Sequence, residues 1–485
     1  MSAMRYVSTR GAAPELGFGD VLLVGLATDG GLYVPTEVPA LPAGWDAERP
    51  YAELAAAIMW PYVAGSIERD RFDALVADTY ATFDHPDVVP VRRVEDGLYL
   101  AELFWGPTLA FKDVALQLVG RLFDHELGRR DARVTVVGAT SGDTGSAAIE
   151  ALRDRAAVDC FILHPHGRVS EVQRRQMTTV LADNVFNLAV DGTFDDCQDL
   201  VKAMFADVAF RERLHLSAVN SINFARVLAQ IVYYVTSAAA VRRELGDVPV
   251  SFVVPTGNFG NIYAGHLATR AGLPVRRLVV ASNANDILTR TFGTGTMAQT
   301  GVVPTLSPSM DIQVSSNFER LLWELAGGDG EAVDALLRRF RDEGTVTLEA
   351  DWSAALGERY AAYRADDAAC LEVMGRYHRS HGLLVDPHTA VGLSAAEQHG
   401  YGASDPTIVL ATAHPAKFAD AVEQATGVRP ALPDRLADLL ERPERYRRVA
   451  GELAAVERLV DEAARLGTGV GAPGPGGHGH EHDGR

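Results

Sequence analysis

The chain has 485 residues, 47% hydrophobic and 22% charged, the balance of a globular protein large enough for two or three domains. Its formal net charge of -19 argues against a general affinity for nucleic acid or anionic membrane, so an anionic ligand needs a local device. The cysteines Cys160, Cys197 and Cys370 are too scattered for a disulfide framework or metal site, and MSAMRYVSTRG lacks a secretion signal's apolar stretch, so reduced thiols in the cytoplasm are expected.

Residues 1–85 read as a separate N-terminal unit, with a turn at TDGGLYVP (28–35) and mostly helical sequence over 51–83. From residue 86 to about 430, apolar strand-like runs alternate with helical patterns. RVTVVG, VDCFILHP and NVFNLAVDG come first; PVSFVVP, RRLVVAS and PTIVLA follow. Such alternation predicts an α/β protein with mainly parallel sheets covered on both faces. The units straddle a long apolar stretch at 227–241, which reads as a buried helix too short to span a bilayer. Two lobes are therefore expected rather than one sheet. Residues 331–381 read as a helical insertion and 431–466 as C-terminal helices. The tail at 467–485 is Gly/Pro-rich with alternating His478, His480 and His482, and it is assigned no metal site.

Basic residues in this chain are almost all arginine: of 45 lysines and arginines only Lys112, Lys202 and Lys417 are lysine. Arginine stays charged and forms no imine, whereas lysine can lose its proton and condense with a carbonyl. Lys112 lies in FWGPTLAFKDVALQ at a predicted helix start, beside Phe104, Trp105 and Phe111, surroundings that desolvate the amine and lower its pKa. The plain alternative is a solvated lysine at a helix start. Lys202 fits the polar face of a helix. Lys417, in TAHPAKF, sits close to another motif and is less easily set aside.

Three predicted strand ends carry polar loops. Gly257, Asn258, Phe259, Gly260 and Asn261 form a turn suited to cradling a phosphate on backbone N–H groups and a helix N-terminus. That turn matches neither the Walker A nor the dinucleotide fingerprint. Thr140, Ser141, Gly142, Asp143 and Thr144 (TSGDTG, 140–145) could hold a carboxylate, although Asp143 also suits a helix cap. Thr412, after TIVLA, offers a neutral hydroxyl to a ring nitrogen. Pyridoxal phosphate is the one ligand that satisfies all of these groups.

With these motifs in order, the chain resembles threonine synthases of the bacterial and fungal branch, fold-type II pyridoxal-phosphate enzymes. The likeness runs over about residues 6–418, through GLATDGGLYVP, GPTLAFKDVALQ, ATSGDTGSAA, NSINFAR, PTGNFGN, SSNFERLL, VDPHTAVG and ATAHPAKF. It implies a tryptophan synthase β-like architecture with an added helical N-terminal domain, and conversion of O-phospho-L-homoserine and water to L-threonine and phosphate. Lys112 would hold the cofactor as an imine and move protons, residues 257–261 would bind its phosphate, and Thr412 its ring nitrogen. Asn220, Ser221 and Arg226 in NSINFAR match substrate-phosphate positions, with Asn223 a helix cap. The implied partner is a small molecule, with neither nucleic acid nor membrane, and the protein a monomer or homodimer. Trp105 departs from the histidine found in many relatives. Three alternatives stay open: a dehydratase-like or other eliminating enzyme of the fold, an idle relative binding phosphorylated metabolites, and a nucleotide-binding protein.

Overall fold

Two sheets carry the architecture, and a computed structural model describes residues 3–218 and 220–465. The expected tail at 467–485 lies outside the described residues. The larger sheet runs in the order Tyr360–Arg364, Val275–Ser282, Val250–Pro255, Thr407–Ala411, Leu98–Glu102, Val91–Glu95. All neighbours in it are parallel except the last pair. The smaller sheet is parallel throughout, in the order Arg447–Ala450, Val185–Asp191, Val158–Pro165, Val134–Ala139, Leu216–Ser217. Every residue of Val158–Pro165, Val250–Pro255 and Thr407–Ala411 is buried. Strands covered by helices on both faces need such continuous apolar runs. The expected pair of α/β lobes is therefore present. The N-terminal unit adds a small antiparallel sheet, Leu16–Gly17, Arg5–Ser8 and Tyr33–Pro35, to helices that include Tyr51–Val63 and Arg69–Tyr80.

Two expectations need correction. The segment 331–381 is not wholly helical, because Tyr360–Arg364 forms the parallel edge strand beside Val275–Ser282. Within 431–466 the chain makes one α-helix, Leu453–Ala463, preceded by the strand Arg447–Ala450 that edges the smaller sheet. An edge strand is paired on one side only and is often half exposed, so neither segment carries the apolar run that marks a central strand.

Helix Phe224–Leu245 follows the strand Leu216–Ser217 of the smaller sheet and precedes Val250–Pro255 of the larger one, and it is longer than the apolar run suggested. Its length and composition would suffice to cross a membrane, yet 89% of its most apolar window is buried inside the protein. It packs against helices Gly260–Arg270, Lys112–Arg129 and Tyr51–Val63. Asn223 caps it by accepting the Ala225 N–H at 3.0 Å, the expected role.

Helix Lys112–Arg129 is held against helix Asp143–Leu152 at Gly120, where an added Cβ would lie 2.2 Å from the Ala151 carbonyl oxygen. Helix propensity alone would have Gly120→Ala stabilise by about 1 kcal/mol. The contact is with backbone and cannot give way locally, so we expect Gly120→Ala instead to destabilise by about 1–3 kcal/mol. Urea denaturation reads the sign directly.

Candidate active site

Register between strands brings the chemically loaded loops to one edge. Val253 pairs with Val409 and Ala411 with Glu102, so three central strands of the larger sheet end together. The loop leading to Lys112 is laced to the segment after Ala411. Leu103 donates to the Ala411 carbonyl at 2.9 Å, Phe111 to Thr412 at 2.9 Å, and His414 to Leu109 at 3.0 Å. Strand Val134–Ala139 of the smaller sheet ends at Thr140, and its following helix begins at Asp143. Carboxyl ends of parallel strands are where such folds bind ligands.

Lys112 is the first residue of its helix and 8% exposed. Its Nζ lies 3.4 Å from Asp143 Oδ2, 3.3 Å from Ser309 Oγ and 5.6 Å from the centre of the Phe111 ring. Burial pushes the amine below the ordinary lysine value. Asp143 opposes this, while the positive charges of Lys417 and Arg226 add to it. Asp143 is equally buried and serves the second lysine more closely. Lys417 Nζ sits 2.9 Å from Asp143 Oδ1 and donates to the Thr108 carbonyl at 2.7 Å. Gln173 Nε2 donates to the same Oδ1 at 2.8 Å. Burial alone would raise the Asp143 carboxyl, but Lys417, Lys112 and His388 outweigh it and hold the group well below the usual carboxylate value.

A further layer fixes Ser309. Its backbone N lies 3.3 Å from His388 Nε2, and the other ring nitrogen, Nδ1, lies 2.7 Å from Asp386 Oδ2. Asp386 in turn caps helix Pro387–His399.

The loop 257–261 has the features of an anion cradle. Among the described residues, the N–H groups of Gly257, Asn258 and Phe259 donate to no acceptor. An added Cβ on Gly257 would lie 2.8 Å from the Ser309 carbonyl. Phe259 takes the left-handed conformation at φ 60°, a strain of order 1–3 kcal/mol that its ring packing against Phe318 (5.2 Å) and Phe292 (6.3 Å) helps to offset. Tyr233 and Tyr234 donate to Asn261 Oδ1 at 2.6 and 2.9 Å, leaving its buried Nδ2 without a partner. Thr412 is 5% exposed at the end of Thr407–Ala411. A desolvated amine, a ring of open backbone donors and a neutral hydroxyl fit pyridoxal phosphate.

Arg226 is the most conspicuous orphan. It is 4% exposed, and neither Nε nor Nη1 has a hydrogen-bond partner among the described residues. Burial lowers its pKa to about 10. Such a guanidinium is costly unless an anion completes it.

The remaining residues singled out in the sequence are less uniform. Thr140 Oγ1 is turned into its own loop, accepting the Gly142 and Gly145 N–H groups at 2.9 and 2.8 Å. Gly142 adopts φ 139°. Ser141 and Thr144 are partly exposed. Asp143 makes no helix-capping bond, and its ionised carboxylate faces the lysines, which corrects its expected place among carboxylate-binding groups. Asn220 is exposed and accepts the Ile222 N–H, while the Ser221 carbonyl accepts from Asn317 Nδ2 at 3.1 Å. Trp105 donates from Nε1 to Glu102 at 3.0 Å and lies 5.2 Å from the His85 ring. Sequence reasoning missed Ser309, Gln173 and the Asp386–His388 pair. It noted Lys417 for its rarity and its closeness to the motif at Thr412, and gave it no role.

Comparison with known proteins agrees with this geometry. Residues 5–80 match the family model "Threonine synthase N terminus", 88–350 "Pyridoxal-phosphate dependent enzyme" and 389–460 "Threonine synthase, C-terminal". Threonine synthase of Pseudomonas aeruginosa is 51% identical over 469 residues, covering 96% of this chain and 99% of the relative. The chain belongs to the threonine synthase family. A pyridoxal-phosphate-bound threonine synthase from Brucella melitensis superposes with a TM-score of 0.92 at 48% identity, over 96% of this chain and 100% of that one. The yeast family member gives 0.90 at 39% identity, over 95% and 99%. The chain thus has the family's fold-type II architecture and its cofactor, pyridoxal phosphate.

Because a Gly257 Cβ would press on backbone at Ser309, Gly257→Ala is expected to tilt the cradle and weaken cofactor retention by about tenfold or more, on the order of 1.4 kcal/mol. Equilibrium dialysis against pyridoxal phosphate measures it.

Proposed function

We propose that this chain converts O-phospho-L-homoserine and water to L-threonine and phosphate. The observation that carries the reading is the pairing of a buried reactive lysine with Arg226, a buried cation whose Nε and Nη1 have no hydrogen-bond partner among the described residues. An amino acid bearing a dianionic phosphate meets both requirements: its amine is handled near Lys112 and its phosphate completes Arg226. Membership of the family supports the same substrate. The dehydratase-like, idle-binder and nucleotide-binding alternatives leave that pairing without a purpose.

When bound, pyridoxal phosphate supplies an electron sink for charge developing at the substrate's α carbon. Lys112 is the attachment point for its aldehyde, the N–H groups of 257–261 hold its phosphate, and the Thr412 hydroxyl meets its ring nitrogen. Once displaced by the substrate amine, Lys112 is a base that takes the α proton and later returns it. Burial keeps that amine from being trapped in the protonated form. Arg226, with Asn220 and Ser221, binds the substrate phosphate and stabilises its charge as the bond to the γ carbon breaks. Ser141, Thr144 and the N-terminal N–H groups of helix Asp143–Leu152 hold the carboxylate. The β carbon gives up a proton as phosphate leaves and the γ carbon takes one up; water then contributes hydroxyl to the β carbon, and its remaining proton leaves with the phosphate. The three unpaired buried cysteines support a reducing, cytoplasmic setting.

Phosphate and threonine released in equal amounts from O-phospho-L-homoserine by the cofactor-loaded protein is the expected result. A keto acid with ammonia, or no phosphate, overturns it. Lys112→Ala is expected to abolish turnover and covalent cofactor attachment while near-UV circular dichroism of the protein stays unchanged. Arg226→Met removes an uncompensated buried charge, so the unliganded protein should be at least as stable, by up to about 1–4 kcal/mol. Its KM should rise about a hundredfold or more. Thermal melts and steady-state kinetics on the same preparation show both effects.

A further inference from the structure

Two of the chain's three lysines converge on one carboxylate, and the mechanism uses only Lys112. Lys417 sits in the short 3-10 turn Pro415–Phe418, whose start is capped by His414 accepting the Ala416 N–H. It is 1% exposed. Its contacts with Asp143 Oδ1 at 2.9 Å and the Thr108 carbonyl at 2.7 Å fall in the range of charge-assisted hydrogen bonds. The Lys112–Asp143 distance of 3.4 Å lies outside it. Gln173 occupies Oδ1 beside Lys417, and Ser309 Oγ reaches Oδ2 at 3.4 Å alongside Lys112. The carboxylate is thus committed to the lysine that does no chemistry.

We propose that Lys417 is a positioning residue for the reaction lysine: by holding Asp143 at 2.9 Å it leaves Lys112 the longer, weaker contact of 3.4 Å with that carboxylate and so eases the loss of the proton that Lys112 must shed to condense with an aldehyde. The charge balance of the buried cluster supports this. One carboxylate, Asp143, faces two lysines, and Arg226 also bears on Lys112, so a protonated Lys112 leaves the cluster with more positive than negative charge. The charged groups facing Lys112 are Asp143 from helix Asp143–Leu152, Lys417 from the 3-10 turn and Arg226 from helix Phe224–Leu245. On its own helix the neighbouring Asp113 is tied to Thr108 and feels Lys417, and His388 acts on Asp143. Lys417 also pins the Thr108 carbonyl, four residues before Lys112, so one ammonium sets both the charge and the approach of the loop. Arginine could supply charge here. The compact ammonium reaches two acceptors in a fully buried corner, which accounts for lysine where the chain otherwise prefers arginine.

The inference rests on Lys112 being the reaction lysine, and the two are separable. With three lysines in the chain, full-length apo-protein labelled with 13C-lysine gives three side-chain signals to follow against pH, Lys112 being assigned by its loss in Lys112→Arg. In the wild type, the Lys112 signal should titrate below the ordinary lysine value of about 10.4; titration at or above it overturns the proposal even without a variant. In Lys417→Gln, which keeps a donor for Thr108 but no charge, Asp143 is released to Lys112. The Lys112 midpoint should move to higher pH, and condensation with pyridoxal phosphate at pH 8, followed by absorbance, should slow about tenfold. The double variant Asp143→Asn/Lys417→Gln removes the released carboxylate and should recover most of the rate. A purely structural role would lower the melting temperature and leave the Lys112 titration in place. An unmoved titration in folded Lys417→Gln overturns the proposal. Borohydride reduction that still marks Lys112 in that variant shows the failure to lie with Lys417 rather than with the reaction lysine.

Discussion

The Asp143 carboxylate is buried at the start of its helix, pairs with Lys417 at 2.9 Å, accepts from Gln173 at 2.8 Å, and meets Ser309 Oγ and Lys112 Nζ at the longer distance of 3.4 Å. A buried anion is tolerable only when its lone pairs are filled, and each donor comes from a different part of the chain. The two lobes, the loop after Thr407–Ala411 and the segment around Ser309 are therefore bound to one atom group. Lys112 sits at the edge of that network, at the longer distance from the carboxylate. Arg226 is a second buried cation of the site.

Much of this was legible in the sequence, and for physical reasons. The apolar runs that became Val158–Pro165 and Val250–Pro255 announce strands buried on both faces. The scarcity of lysine marked Lys112, and GNFGN marked a tight turn because glycine is needed where backbone approaches backbone, as at Gly257 beside Ser309. The edge strands Tyr360–Arg364 and Arg447–Ala450 were not legible, since a half-exposed strand resembles a loop or the end of a helix. Asp143 was misread for a different reason. Asp at a helix start usually caps it, and only the fold could reveal a lysine 274 positions later in the chain reaching the same carboxylate. Ser309 gave no signal, because PSM has no pattern that separates an active-site hydroxyl from a turn.

Among the described residues, two of the six non-glycine residues with positive φ lie in loops of the candidate site. Leu109 and Phe259 carry φ of 64° and 60°, one in the loop before Lys112 and the other in the turn at 257–261. Neither residue type favours that conformation. Each is locked by its surroundings, Leu109 by accepting the His414 N–H and Phe259 by its aromatic neighbours. The backbone is thereby set before any ligand arrives, and less ordering remains to be done on binding.

The strand Thr407–Ala411 lies in the middle of the larger sheet, between Val250–Pro255 and Leu98–Glu102. Those neighbours leave the ribosome long before it does. During synthesis the sheet must wait with an open slot, its two halves without the hydrogen bonds that join them, until residue 411 has emerged. Thr412 and Lys417 arrive immediately behind it. A nascent chain therefore cannot hold a finished pyridoxal-phosphate site at any earlier stage, and the site is completed late in synthesis rather than serving as the seed of folding.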